Sequence, residues 1–209
     1  MPGAGLTHLF FDIGGVLGTN GWDSEDRAAA RREFGIEDDM EARHEEVLGD
    51  WETGQLDFDE YLDVTVFYRP RDFSREAFVA YMLAQSQPDK ETIALVARLH
   101  ATGRFTLMTM NNESELLNIH RIASFGLRPY FSAFLSSCWL GVRKPARRFF
   151  QRSLALAQAD PARSLFVDDR PQNLSPAAAL GMHTVHFRGA GELGTVLEKM
   201  GLLAPSAER

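Results

Sequence analysis

Apolar residues in this chain gather into short runs separated by longer mixed stretches. Four runs, at 9–11, 105–110, 165–167 and 184–187, read as strands buried on both faces, the pattern of a parallel sheet covered by helices. Ala133–Ser136 is a weaker fifth candidate. Between the runs the spacing turns helical. Pro88 can occupy a first helical turn, Ile93, Val96, Ala97 and His100 then recur on one face, and Gly103 ends the segment. A second helix is expected over 114–125 with Gly126 as its stop. A third follows Pro145 and carries Phe149, Phe150, Leu154 and Ala157 inward. Strand and helix in strict alternation beyond residue 88 predict an α/β fold, with a three-layer core built on a parallel sheet.

Residues 19–88 break the alternation. Phe58, Tyr61, Leu62 and Val66 keep helical spacing, as do Phe78, Met82 and Leu83, and Ser74 ahead of Arg75 and Glu76 makes a helix start. With no strand pattern in it, this stretch reads as a helical insertion directly after the first strand. The expected division is therefore a core of 1–18 and 89–209 with an insertion of 19–88. Only residues 204–209 read as a loose tail.

Composition narrows the partners. Twenty-two Lys and Arg against 29 Asp and Glu leave a net charge of −7, which argues against nucleic-acid or anionic-membrane binding. The one cysteine, Cys138, excludes an internal disulfide and reads as a small packing residue. No apolar run approaches the ~20 residues that span a bilayer. No basic stretch precedes the first apolar run, so a secretory leader is not expected and a cytoplasmic location is.

The chemistry sits at the strand ends. Asp12 closes the first apolar run and is followed at once by Gly14 and Gly15; Asp168 and Asp169 close the run at 165–167. In an open parallel sheet the carboxyl ends of neighbouring strands converge on one crevice. Three carboxylates there repel one another unless a cation lies among them, and their hard oxygens suit Mg²⁺. The glycines let the backbone turn sharply with its amides facing an anion. The six histidines form no metal site: His183 and His186 fall on opposite faces of a strand, and His8, His100 and His120 read as structural.

Asp12, the Lys144-Pro145 pair behind a Ser-rich loop, and Asp168-Asp169 stand in an order that resembles the haloacid dehalogenase superfamily, most of whose members are phosphatases. The resemblance spans the chain. It implies a Rossmann-like core, a helical cap at 19–88, a Mg²⁺ cofactor and a small phosphorylated substrate. Asp12 becomes the nucleophile that forms an aspartyl-phosphate. Lys144 neutralises it and binds the transferring phosphoryl group, beside Arg143 at the surface. Asp12, the Gly14 carbonyl, Asp168 and Asp169 hold the metal, and Asn173 orients one of the acids. Gly15, Asn111 and Asn112 contact phosphate. The family's second motif is the poorest match: Thr109, Asn111 or Asn112 fits its hydroxyl or amide, with Asn111 preferred.

Gly14 departs from the pattern. The superfamily's phosphatases usually carry an acid there that protonates the leaving oxygen and later activates water, help commonly worth 10²–10⁴-fold. A backbone carbonyl survives at Gly14; a proton donor does not. Asp23 or His44, the latter in the insertion with Trp22 and Trp51, are the replacements considered. Two alternatives accompany the phosphatase reading: a binding protein on a decayed enzyme core, and a hydrolytic dehalogenase, whose relatives also lack the second acid and need no metal.

Overall fold

The computed structural model describes residues 5–36 and 39–205; residues 206–209, most of the expected tail, lie outside the described residues. Five strands form one parallel sheet: β1 (His8–Phe11), β2 (Thr106–Asn111), β3 (Ala133–Ser136), β4 (Ser164–Asp168) and β5 (His183–His186), in the order β3-β2-β1-β4-β5. The weak candidate at Ala133–Ser136 is thus an edge strand. Order reverses at β1, whose two sides pair with β2 and β4, and such a switch point opens a crevice at the strands' carboxyl ends.

Side-chain alternation explains why the strand runs are apolar throughout. Leu9, Phe11, Leu107, Leu165 and Val167 face one layer, built from α5 (Lys90–Ala101) and α10 (Ala190–Lys199). Phe10, Met108, Met110, Leu135 and Phe166 face the other, where α8 (Arg147–Ala157) presents Phe149, Phe150 and Leu154 and α9 (Pro171–Ala178) presents Ala177. With period 2 and helices on both sides, both sets are mainly apolar. The result is a three-layer Rossmann-like α/β core.

One helix boundary differs from the expectation. Asp89, not Pro88, starts α5: its carboxylate accepts the Thr92 amide at 2.9 Å as an N-cap, and the helix begins at Lys90. The segment between β1 and α5 holds α1 (Ser24–Phe34), α2 (Asp39–Glu52), α3 (Phe58–Thr65) and α4 (Arg75–Ala84). Asp23 and Asp57 open α1 and α3 with capping boxes, and Ser74 caps α4. These helices share a separate apolar cluster that includes Trp22, Trp51, Tyr61, Phe78 and Met82, joined by Leu117 of α6 (Glu115–Ser124). Among the described residues, no helix is long and apolar enough to cross a membrane.

Candidate active site

Strand register brings the acids together. Phe11 pairs with Val167, and the Asp12 amide continues the ladder to the Val167 carbonyl at 2.9 Å, so Asp12 and Asp168 leave neighbouring strands side by side. Asp12, Asp168 and Asp169 offer oxygens that all lie within 4.8 Å of one another. Gly15 makes the third approach possible. Its φ of 72° suits glycine, and a Cβ there would stand 2.5 Å from an Asp169 oxygen.

Lys144 is delivered from the far side by the loop between α7 (Ser137–Leu140) and α8. Its ammonium donates to Asp12 Oδ2 at 2.8 Å, Asp168 Oδ2 at 2.7 Å and the Met110 carbonyl at 2.9 Å. All three donors are used, in a side chain only 1% exposed. Asn112 fixes the lysine's backbone: its Oδ1 accepts the Lys144 amide at 2.8 Å and its Nδ2 donates to the Lys144 carbonyl at 2.9 Å. Asp168 is held in turn by Asn173 Nδ2, at 3.0 and 3.1 Å, and by the Arg170 amide at 2.8 Å.

Electrostatics follow from this crowding. Burial pushes the Asp12 carboxyl above its ordinary range, Lys144 pulls it back, and Asp168 and Asp169 push it up again. Burial works against the Lys144 ammonium, but Asp12 and Asp168 outweigh it and hold its pKa above the usual lysine value. Asp169 is raised by burial and by Asp168, and its buried Oδ1 finds no hydrogen-bond partner among the described residues. A buried carboxylate oxygen left unpartnered is costly. An oxygen-lined cluster of this kind fits a hard divalent cation, which would partner that oxygen and offset the mutual repulsion.

Asp12 and Lys144 border a cavity of about 310 Å³, roofed by residues of α1 and α2, while Asp168, Asp169 and Gly15 lie behind its wall. Asp12, Gly14, Asn112, Lys144 and Asn173 reach its wall. Asn111 does not. It is buried and its amide donates to Asn118 at 3.0 Å and Ser136 at 3.4 Å, while Thr109 donates to its Oδ1 at 3.3 Å. β2 runs two residues past Thr109 and ends at Asn111, so Thr109 is not at the strand tip and Asn112 turns toward the cavity. Arg143, read as a surface residue, instead lines the cavity and pairs with Glu52 of α2 at 3.0 Å. Cys138 is a half-buried free thiol pushed up to about 11 by burial, far from thiolate character.

The two proposed substitute acids are committed elsewhere. Asp23 accepts the amides of Glu25 and Asp26 as the α1 cap, at 2.9 and 3.0 Å. His44 is buried, shares a 2.9 Å hydrogen bond with the Tyr61 hydroxyl, and is pushed down to about 4 by burial, so it is neutral at pH 7. Sequence reading missed Glu113 and Arg121. Both line the cavity and pair at 2.7 Å, the arginine bracing itself on Ser86 at 3.2 Å and on the Asn20 carbonyl. A signal existed: Glu113 directly follows the two asparagines at a strand tip, and Arg121 lies on α6, the helix that starts two residues later.

Comparison with known proteins fits this geometry. A bifunctional epoxide hydrolase 2 from Rattus norvegicus is 27% identical over 63% of this chain and 24% of its own length. A chloroplast flavin mononucleotide hydrolase 1 from Arabidopsis thaliana is 28% identical over 78% of this chain and 65% of its own. The chain thus spans between about a quarter and two thirds of these relatives. A HAD family enzyme from Bacteroides thetaiotaomicron superposes with a TM-score of 0.78 at 19% identity, covering 92% of this chain and 98% of the other. The same enzyme has been solved with magnesium and inorganic phosphate, at TM-score 0.73, 20% identity and coverage of 88% and 95%. Residues 6–181 match the family model for haloacid dehalogenase-like hydrolases, and the chain belongs to that family.

Proposed function

We propose that this chain is a Mg²⁺-dependent phosphatase acting on a small phosphorylated metabolite through an aspartyl-phosphate at Asp12. The observation that carries this is the buried lysine bridging Asp12 and Asp168 beside an unpartnered Asp169 oxygen. A dry carboxylate at a strand tip, with an ammonium in contact, is a nucleophile whose charge is already countered. The relative named for flavin mononucleotide hydrolysis and the fold neighbour solved with magnesium and phosphate support the same chemistry.

In this reading Asp12 attacks phosphorus and the ester oxygen leaves on the opposite side. Lys144 stays bound to Asp12 and stabilises charge on the transferring group, positioned by the Asn112 clamp. The metal's holders would be Asp12, Asp168, Asp169 and the Gly14 carbonyl; Mg²⁺ supplies charge neutralisation and alignment of the phosphate oxygens. Residues 19–88 serve as a cap, and a cavity of about 310 Å³ limits the substrate to a small molecule.

The test is a screen of phosphorylated metabolites and an aryl phosphate, with Mg²⁺ and with chelator. Hydrolysis that requires the metal is expected. Halide release from a 2-haloacid that ignores chelator would replace this reading with dehalogenation. Inertness toward every ester with Mg²⁺ present would leave a binding protein.

A further inference from the structure

Gly14 leaves the proposed reaction without a proton carrier, and the cavity wall offers one from the loop between β2 and α6. Residue 14 does not adopt a left-handed conformation, and a Cβ built on it would meet Arg121 Nη1 at 3.4 Å. The space where an acidic side chain would lie is therefore faced by a guanidinium. That guanidinium is paired at 2.7 Å with Glu113 Oε2, while the Ser114 amide holds Oε1 at 3.1 Å. We propose that Glu113, aimed by Arg121, is the general acid and base that takes over the role residue 14 lacks; this rests on the phosphatase reading above.

The other carboxyls on the cavity wall are occupied or misplaced. Asp12 is the nucleophile, Asp23 caps α1, Glu45 is solvent-exposed, and Glu52 pairs with Arg143 and not with the guanidinium that faces Gly14. Glu113 is only 8% exposed. Its burial pushes the carboxyl up to about 7 against the pull of Arg121, with Glu52 of α2 adding to the rise. Near pH 7 such a group exists in both protonation states, which is what a residue acting first as acid and then as base needs. The guanidinium then stabilises the carboxylate form between the two steps.

As the Asp12 oxygen bonds to phosphorus, the bond from phosphorus to the ester oxygen breaks, and the Glu113 proton passes to that oxygen to give the alcohol. Glu113, now a carboxylate, takes a proton from water as the water oxygen bonds to phosphorus. The Asp12–phosphorus bond breaks, inorganic phosphate leaves, and both side chains return to their starting states.

The experiment compares Glu113→Gln with the parent on an alkyl phosphate and on 4-nitrophenyl phosphate, whose leaving group departs without a proton. Alkyl ester turnover should fall on the order of 10²-fold. The aryl ester should still give a rapid burst of nitrophenolate, followed by slow steady turnover, because attack survives and hydrolysis of the intermediate does not. Adding Gly14→Asp to that variant should restore alkyl ester turnover, since a Cβ at residue 14 stands 3.4 Å from Arg121 Nη1 and only Asn20 Oδ1, at 3.2 Å, must yield. Absence of the nitrophenolate burst, unchanged alkyl ester turnover, or no rescue would overturn the assignment while leaving the phosphatase reading intact. A parent inert toward both esters with Mg²⁺ overturns the phosphatase reading, and this one with it. If Glu113→Gln does not fold by circular dichroism, Glu113→Asp, which shortens the reach but keeps the charge for Arg121, must show the same ester-selective loss.

Discussion

At the scale of single residues, the site turns on one cation serving two acids. Lys144 touches Asp12 and Asp168 at 2.8 and 2.7 Å, with side-chain exposures of 1%, 10% and 0% for the three groups. Removing one partner of a buried charge set strands the others, at a cost of about 3–5 kcal/mol. Lys144→Met should therefore lower unfolding stability in urea by about that amount when no metal is added. A loss under about 1 kcal/mol would show that Asp12 and Asp168 are not held as a buried pair by this lysine. Asp12→Asn keeps shape and hydrogen bonding but cannot form the acyl-phosphate. Turnover of any phosphate ester should drop by more than about 10⁴-fold, the scale at which nucleophile removal acts, with circular dichroism unchanged. Wild-type rates in that variant would end the case for Asp12 as nucleophile.

At the scale of elements, α2 and α3 meet through aromatic rings carrying a hidden titration. His44 packs against Trp51 and Tyr61, whose own rings stack at 3.8 Å, and Tyr61 accepts the Trp22 indole at 2.9 Å. Burial, helped by Arg27 and Arg143 and opposed by Glu41, holds His44 down at about 4. In the unfolded chain it titrates near 6.5, so between those values the unfolded state binds the extra proton. The native state is then favoured above pH 6.5 and loses this contribution as pH falls toward 4, by about 3 kcal/mol at the limit. His44→Phe should flatten that slope relative to wild type in denaturation at stepped pH. Parallel curves for the two proteins would mean His44 is not buried in its neutral form.

At the scale of the whole molecule, the proposed metal would be linked to the fold. The acids that would hold Mg²⁺ come from β1 and β4, at the centre of the sheet, and unfolding separates them by more than 150 residues of chain. An ion that binds only the folded form at a hundred times its dissociation constant stabilises it by about 2.7 kcal/mol. Added Mg²⁺ should therefore raise Tm in the wild type. Asp169→Asn should need more Mg²⁺ for the same rise, because the Asp169 oxygen left without a partner is the one the ion would engage. A Tm indifferent to Mg²⁺ in the wild type would remove the metal from the proposal.

What the chain determined by itself was local. Apolar runs marked β1, β2, β4 and β5 because strands covered on both faces bury side chains in both directions, and helical spacing marked the insertion for the same reason of burial. Asp12 and the Asp168-Asp169 pair were legible because a carboxylate ending an apolar run is conspicuous and parallel strands end on one side. Tertiary structure decided what depends on distance between elements. Asn111 and Asn112 are adjacent and alike, yet the end of β2 turns one into the buried amide network and the other onto the lysine loop. Arg143 became a cavity residue only because α2 brought Glu52 to it. Glu113 before α6 and Arg121 within it carry no signature along the chain that pairs them. Folding removed both from water, paired them, and set the arginine against the empty side of Gly14, a relation between three segments that no spacing along one of them encodes.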